Sequence, residues 1–184
     1  MRSNVTILLA SGRSVTGELE HGEQRLSDAI NGRLSSVLRV AGATLGRFDN
    51  PAANEPVTVA IVPKSHVALV IMNDEIRRPK DKRMYSYVPK QTSELLVLLA
   101  GLRVRGSAHA SATLDEATLQ RELAESADHL IVLTDAWLAF DVEGHTERFV
   151  GVALLNARHI QFAAAIPPVA LATADPREQL VAVH

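Results

Sequence analysis

The chain has no cysteine, which removes disulfide frameworks, thiolate metal sites and cysteine nucleophiles from consideration. Aromatic residues are only 4% of its 184 positions, so a core has to be filled by valine, leucine, isoleucine and alanine. Long apolar runs are also missing. The most extended one, "IQFAAAIPPVALATA", is interrupted by Pro167 and Pro168, whereas a membrane-spanning helix takes about 20 predominantly apolar residues. The opening "MRSNVTILLASGR" has too short an apolar stretch, and no cleavage site, for a secretory signal. The expectation is therefore a cytoplasmic protein. Neither charge is in excess: the formal net charge is −2 and the pI about 6.4, which leaves only a local basic patch for any contact with nucleic acid. Walker-type glycine loops, G-x-G-x-x-G fingerprints and G-x-S-x-G elbows are absent. The seven histidines form no H-x-H or H-E-x-x-H arrangement, so no metal, cofactor or catalytic residue is expected.

What is present is the balance of an ordinary globular protein, 47% hydrophobic and 22% charged. The length suits one domain, or two of roughly 70–90 residues each. The second option is favoured by a repeat. "VTVAIVPKSHVAL" from Val57 and "VGVALLNARHIQF" from Val150 share a pattern at an offset of 93, with Val59 on Val152, Ala60 on Ala153 and His66 on His159. Upstream, Gly12, Val15 and Gly17 fall on Gly101, Val104 and Gly106 at an offset of 89. Period-two alternation in "VTILLASGRSVTGELEH" predicts a β-hairpin, and a glycine inside a strand marks a bulge or a close backbone approach. In "RLSDAINGRL" the spacing of Leu26, Ile30 and Leu34 predicts a short helix, with a left-handed stop at Asn31-Gly32. "TLDEATLQRELAESA" predicts a second helix, opened by a Thr113–Glu116 capping box and carrying Leu119 and Leu123 inward.

The expected fold class is α+β and β-rich: two similar small, bent-sheet or partial-barrel domains, each with one helix, arising from an internal duplication. The first spans 1–76, a basic, proline-containing linker 77–93, the second domain 94–166 and a tail 167–184. Val5, Ile7, Leu19, Leu26, Ile30, Val59, Ile61, Leu69, Val104, Leu119, Leu123, Leu133, Val152, Leu154 and Ile160 are expected to be buried.

Candidate contact residues fall in two groups. Lys64 and His66 in "PKSH" and Arg158 and His159 in "NARH" sit at matching turns before a final strand. The histidines read as strand-end structural groups, since nothing beside them supplies a nucleophile or a second metal ligand. The linker carries Arg77, Arg78, Lys80, Lys82 and Arg83, with Tyr85 and Tyr87 two apart and so on one face of an extended chain. Clustered charge with interleaved aromatics can contact phosphates and stack bases, although a soluble linker is the blander explanation. Asp28 and Asn31 read as a solvated helix face.

The order "GRSVTGEL", "RLSDAIN", "LRVAGATL", "VTVAIVPKSHVAL" resembles a small bacterial domain of unknown function with a G-x-L … RLSD-x-hN … histidine-strand pattern. The first copy resembles it over residues 5–71, the second by strand pattern without the RLSD segment. That resemblance implies no activity. More distantly, the hairpin from Val5 to Leu19 and the "KSH" and "ARH" turns resemble the Sm-like barrel of RNA-binding ring proteins, in which such a turn touches RNA. The resulting expectation is a non-enzymatic interaction or scaffold module that self-associates as a homo-oligomer or binds another protein through exposed strand edges. An Sm-like RNA binder is the second reading, and no membrane partner is expected.

Overall fold

The computed structural model describes residues 1–32, 35–48, 50–73, 91–110, 116–125, 129–140 and 147–166. The chain opens with β1 (Arg2–Leu9), β2 (Arg13–Glu20), α1 (Leu26–Asn31), β3 (Val37–Arg47), β4 (Asn50–Pro63) and β5 (Val67–Met72). It continues with β6 (Gln91–Leu99), β7 (Leu102–Ala110), α2 (Glu116–Glu125), β8 (Leu130–Phe140), β9 (Arg148–Asn156) and β10 (Ile160–Ile166). Among the described residues all ten strands form one antiparallel sheet in the order β10-β6-β7-β8-β9-β5-β1-β2-β3-β4. The first five strands are ordered 5-1-2-3-4 and the last five 10-6-7-8-9, the same arrangement twice. A helix follows the second strand of each set, and a 3-10 turn, Lys64–His66 or Ala157–His159, precedes the last.

The glycines within strands explain the bends. Between β2 and β3 the register shifts at Thr16/Glu18, and between β7 and β8 at Arg105/Ser107, so Gly17 and Gly106 mark matching bulges. A Cβ on Gly17 would lie 2.8 Å from the Ala41 carbonyl oxygen, and one on Gly106 3.0 Å from that of Thr134. Opposite these glycines Gly42 and Asp135 take left-handed backbone, at φ 54° and 51°. The opening hairpins differ by one residue. The first turns through three residues ending at Gly12 (φ 81°), while the second turns through Ala100 and Gly101 alone, both at positive φ, the conformation that matches the twist of a two-residue hairpin.

Two apolar clusters make the core, and both cross the boundary between the sets. Val5, Ile7, Val15, Leu26, Ile30 and Val70 pack with Leu130, Val152 and Leu154, whereas Leu8, Leu69 and Ile71 pack with Val104, Leu133 and Leu155. α1 lies against β8 and α2 against β10. The expected core positions Val5, Ile7, Leu19, Leu26, Ile30, Leu69, Val104, Leu119, Leu133, Val152 and Leu154 are buried. Leu123 and Ile160 are partly buried against the second cluster.

Several expectations need correction. Val59 and Ile61 are not core residues, being 37% and 58% exposed, because β4 is an edge strand while their counterparts Val152 and Leu154 lie on a strand paired on both sides. β4 begins at Asn50, ahead of the repeated stretch from Val57. Gly32 does not take the left-handed stop; its φ is −59° and its ψ 138°. Leu34 and Thr113 lie outside the described residues, as does the tail 167–184.

Gly17→Ala should destabilise the fold by about 1–3 kcal/mol in urea denaturation, because the new Cβ meets backbone that cannot move without opening the ladder. Gly12→Ala has open space and pays only for its positive φ, about 1 kcal/mol. Equal losses at both positions would show that the bulge is not under steric constraint.

Candidate functional site

The place where the two sets of strands meet is built from β5 and β9. They pair antiparallel, with Leu69 opposite Leu155, Val70 opposite Leu154, Ile71 opposite Ala153 and Met72 opposite Val152. Every residue of β5 except the partly buried Met72 is buried. Its alternation sends Leu69 and Ile71 into one cluster and Val70 into the other.

Polar groups close one end of this junction, the end where Leu69 faces Leu155 and Leu130 faces Asn156. The Asn156 side chain is buried; its amide donates to the carbonyl oxygens of Lys64 at 3.2 Å and Val67 at 2.8 Å, and its oxygen accepts from the Arg158 backbone N–H at 3.1 Å. His159 Nε2 lies 2.8 Å from the Ser65 carbonyl oxygen, to which a ring N–H donates. At the helix end, Asn31 makes a two-point contact with β8: its amide donates to the Leu130 carbonyl at 3.0 Å and its oxygen accepts from the Leu130 N–H at 2.7 Å. The Lys64 ammonium donates to the Gly32 carbonyl at 2.7 Å, and burial pushes its pKa below the usual lysine value.

Of the residues singled out from sequence, Lys64, Arg158 and His159 are therefore brought together at one end of the β5–β9 junction. His66 is exposed and lies instead on an open apolar groove along β4, about 380 Å³ in volume, lined also by Val15, Leu45, Val57 and Ile61. Arg77, Arg78, Lys80, Lys82, Arg83, Tyr85 and Tyr87 lie outside the described residues. Asn31 is not a solvated helix residue, since it joins the two sets. Asn156 went unnoticed in the sequence; its signal is a polar residue closing the apolar run "VGVALLN".

A second feature missed from sequence is the exposed pair Trp137 and Phe149, with ring centroids 5.1 Å apart. Arg105, opposite Trp137 on β7, is engaged by Glu94, whose hydrogen bond and charge raise its pKa. Other histidines serve as cross-links. His109 bridges Thr92 at 3.2 Å and Thr134 at 2.7 Å, and His21 bridges Ser3 and the Gln24 carbonyl. Among the described residues no group of three His, Asp or Glu side chains could hold a metal ion, and no helix is long and apolar enough to cross a membrane.

No protein-family model, curated protein or solved structure matches the chain. The chemistry of the junction is strand addition: backbone hydrogen bonds supply attachment and alternate side chains fill pockets, while the Asn156 and Asn31 amides fix one end.

Asn156→Ala should lower stability by about 2–3 kcal/mol, since it leaves two carbonyls and a backbone N–H without their partner. His159→Gln should cost about 1 kcal/mol or less, and His66→Gln should stay within about 0.5 kcal/mol at dilute protein concentration. Chemical denaturation of the three variants checks this ranking; a His159 loss as large as that of Asn156 would contradict it.

Proposed function

We propose that the chain is a non-enzymatic scaffold module, a tandem of two Sm-like partial barrels related by internal duplication, and that its activity is self-association through strand edges. The observation that carries this reading is the β5–β9 junction. One chain already contains two five-stranded sets of identical order joined edge to edge, and it presents at its ends the same two kinds of edge that meet inside. Support for the duplication comes from the matching bulges at Gly17 and Gly106, the matching 3-10 turns and the single offset of 93 from β3 to β10. Support for a non-enzymatic role comes from the histidines His21, His109 and His159, each engaged in tying strands or turns together.

RNA binding is the outcome that would redirect this reading. Of its proposed contacts, the Lys64 ammonium is engaged by the Gly32 carbonyl, which leaves the linker cations as the main electrostatic contribution.

Sedimentation velocity of the full chain across about 1–100 μM should show mass rising in multiples of the 19.9 kDa protomer, since edge-to-edge contacts obey mass action. A single protomer mass throughout would overturn the reading. A parallel titration with single-stranded RNA at physiological salt should show little or no binding. If tight binding were seen, changing Arg77, Arg78, Lys80, Lys82 and Arg83 to Ser should flatten the logarithmic salt slope by about three units, at roughly 0.7 per phosphate contact.

A further inference from the structure

We propose that copies of this chain join head to tail, the β10 edge of one pairing antiparallel with the β4 edge of the next in the register that β5 and β9 use inside the chain. This rests on the self-associating reading and specifies its two surfaces. The internal junction is the template. Carried across by 93 positions, its pairs become Phe162 opposite Val62, Ala163 opposite Ile61, Ala164 opposite Ala60 and Ala165 opposite Val59.

Exposure supports the match at three positions. Leu69 is buried in the inner junction, whereas its counterpart Phe162 stands 52% exposed on β10; Leu154 and Leu130 are buried there, whereas their counterparts Ile61 and Val37 are exposed. Leu69 shares its cluster with Val104, Leu138 and Leu155. The residues at the corresponding positions of the first set, Val15, Leu45 and Val62, line the open groove along β4. The groove at one end of the chain is thus the vacant form of the slot that Leu69 fills, and Phe162 at the other end is the side chain placed to fill it. Along the stretch to be paired neither edge carries a charge, with Glu55, Pro56 and Pro63 of β4 flanking it. Val57–Pro63 and Ile160–Ile166 contain no charged residue, although free edge strands ordinarily carry charges that prevent pairing. His66 also gains a partner. By the same offset it would donate to the Arg158 carbonyl of the next copy, as His159 does to Ser65.

The outer joint lacks two of the inner one's fastenings. Pro63 stands where Asn156 clamps the turn, and Ala124 stands where Asn31 grips β8. Contact between chains is therefore the weaker and more reversible of the two, and a head-to-tail contact either closes into a ring or runs on as a fibre.

The test uses two full-length variants, Ile61→Glu to block the β4 edge and Phe162→Glu to block the β10 edge. Both side chains are exposed, so circular dichroism and thermal melting should match the parent. Each variant alone should associate at least about 100-fold more weakly, because pairing would bury a carboxylate without a partner. Mixed together they should form a 1:1 dimer that grows no further, since each supplies the edge the other has lost. A mixture that stays monomeric, or either variant alone associating like the parent, would overturn the assignment while the parent's own assembly kept the scaffold reading. A parent chain that never associates would remove both. In the cysteine-free background, Ile61→Cys mixed with Ala163→Cys should form a disulfide-linked dimer under mild oxidation more readily than either variant alone. Equal cross-linking of Ile61→Cys with itself would instead show β4 pairing with β4.

Discussion

β5 is a strand with two allegiances. One edge pairs with β1 of its own set and the other with β9 of the second, and its alternate side chains enter different cores. A slip of one residue would exchange Leu69 and Ile71 with Val70 and Met72, sending each to the wrong cluster. Register is strongly specified when both faces are buried, so this single strand fixes how the sets sit against each other. Neither cluster is complete within its own set: Leu130, Val152 and Leu154 help close the first, and Leu8, Leu69 and Ile71 help close the second.

The polar fastenings explain why that arrangement is unique rather than merely sticky. Apolar burial rewards many offsets of two strands, whereas Asn156 is satisfied only when Lys64 and Val67 present their carbonyls together, and Asn31 only when Leu130 presents both backbone groups. Each amide is placed where a mismatch would leave buried polar atoms unpaired, which costs more than the bond itself contributes. Specificity of the junction is set at the end where Leu130 and Asn156 pair, and its affinity along the apolar pairs from Leu69 to Met72.

Much of this was legible in the sequence, and the misplaced residues Val59, Ile61 and Asn31 share one cause. Periodicity reports which face of a strand a side chain takes, so Val5, Ile7, Val104 and Leu133 could be assigned to the core and the glycine bends located. Periodicity does not report what lies beside the strand. Ile61 and Leu154 occupy the same place in the same pattern, yet one is exposed and the other buried, because among the described residues only β9 has a neighbouring strand on its far side. Asn31 was noticed but misjudged for the same reason, since its partner Leu130 lies 99 residues away. The linker residues stand apart from this comparison: Arg77 to Tyr87 lie outside the described residues.

If chains associate as proposed, the positions at which the two five-stranded sets differ would separate folding from assembly. Were the Asn156 and Asn31 fastenings present in both sets, a joint between chains would rival the joint within one, and a nascent set could pair with a neighbouring chain as readily as with its own second half. Pro63 and Ala124 leave only the outer surfaces without those fastenings, which under the proposed association would favour first pairing with the covalently tethered partner, since tethering makes that event intramolecular. The apolar slot lies along β4, and the stretches Val57–Pro63 and Ile160–Ile166 carry no charge. On the proposed reading, order of assembly would follow from these two positions: the chain would complete itself first, and only the completed chain would offer its remaining edges to another.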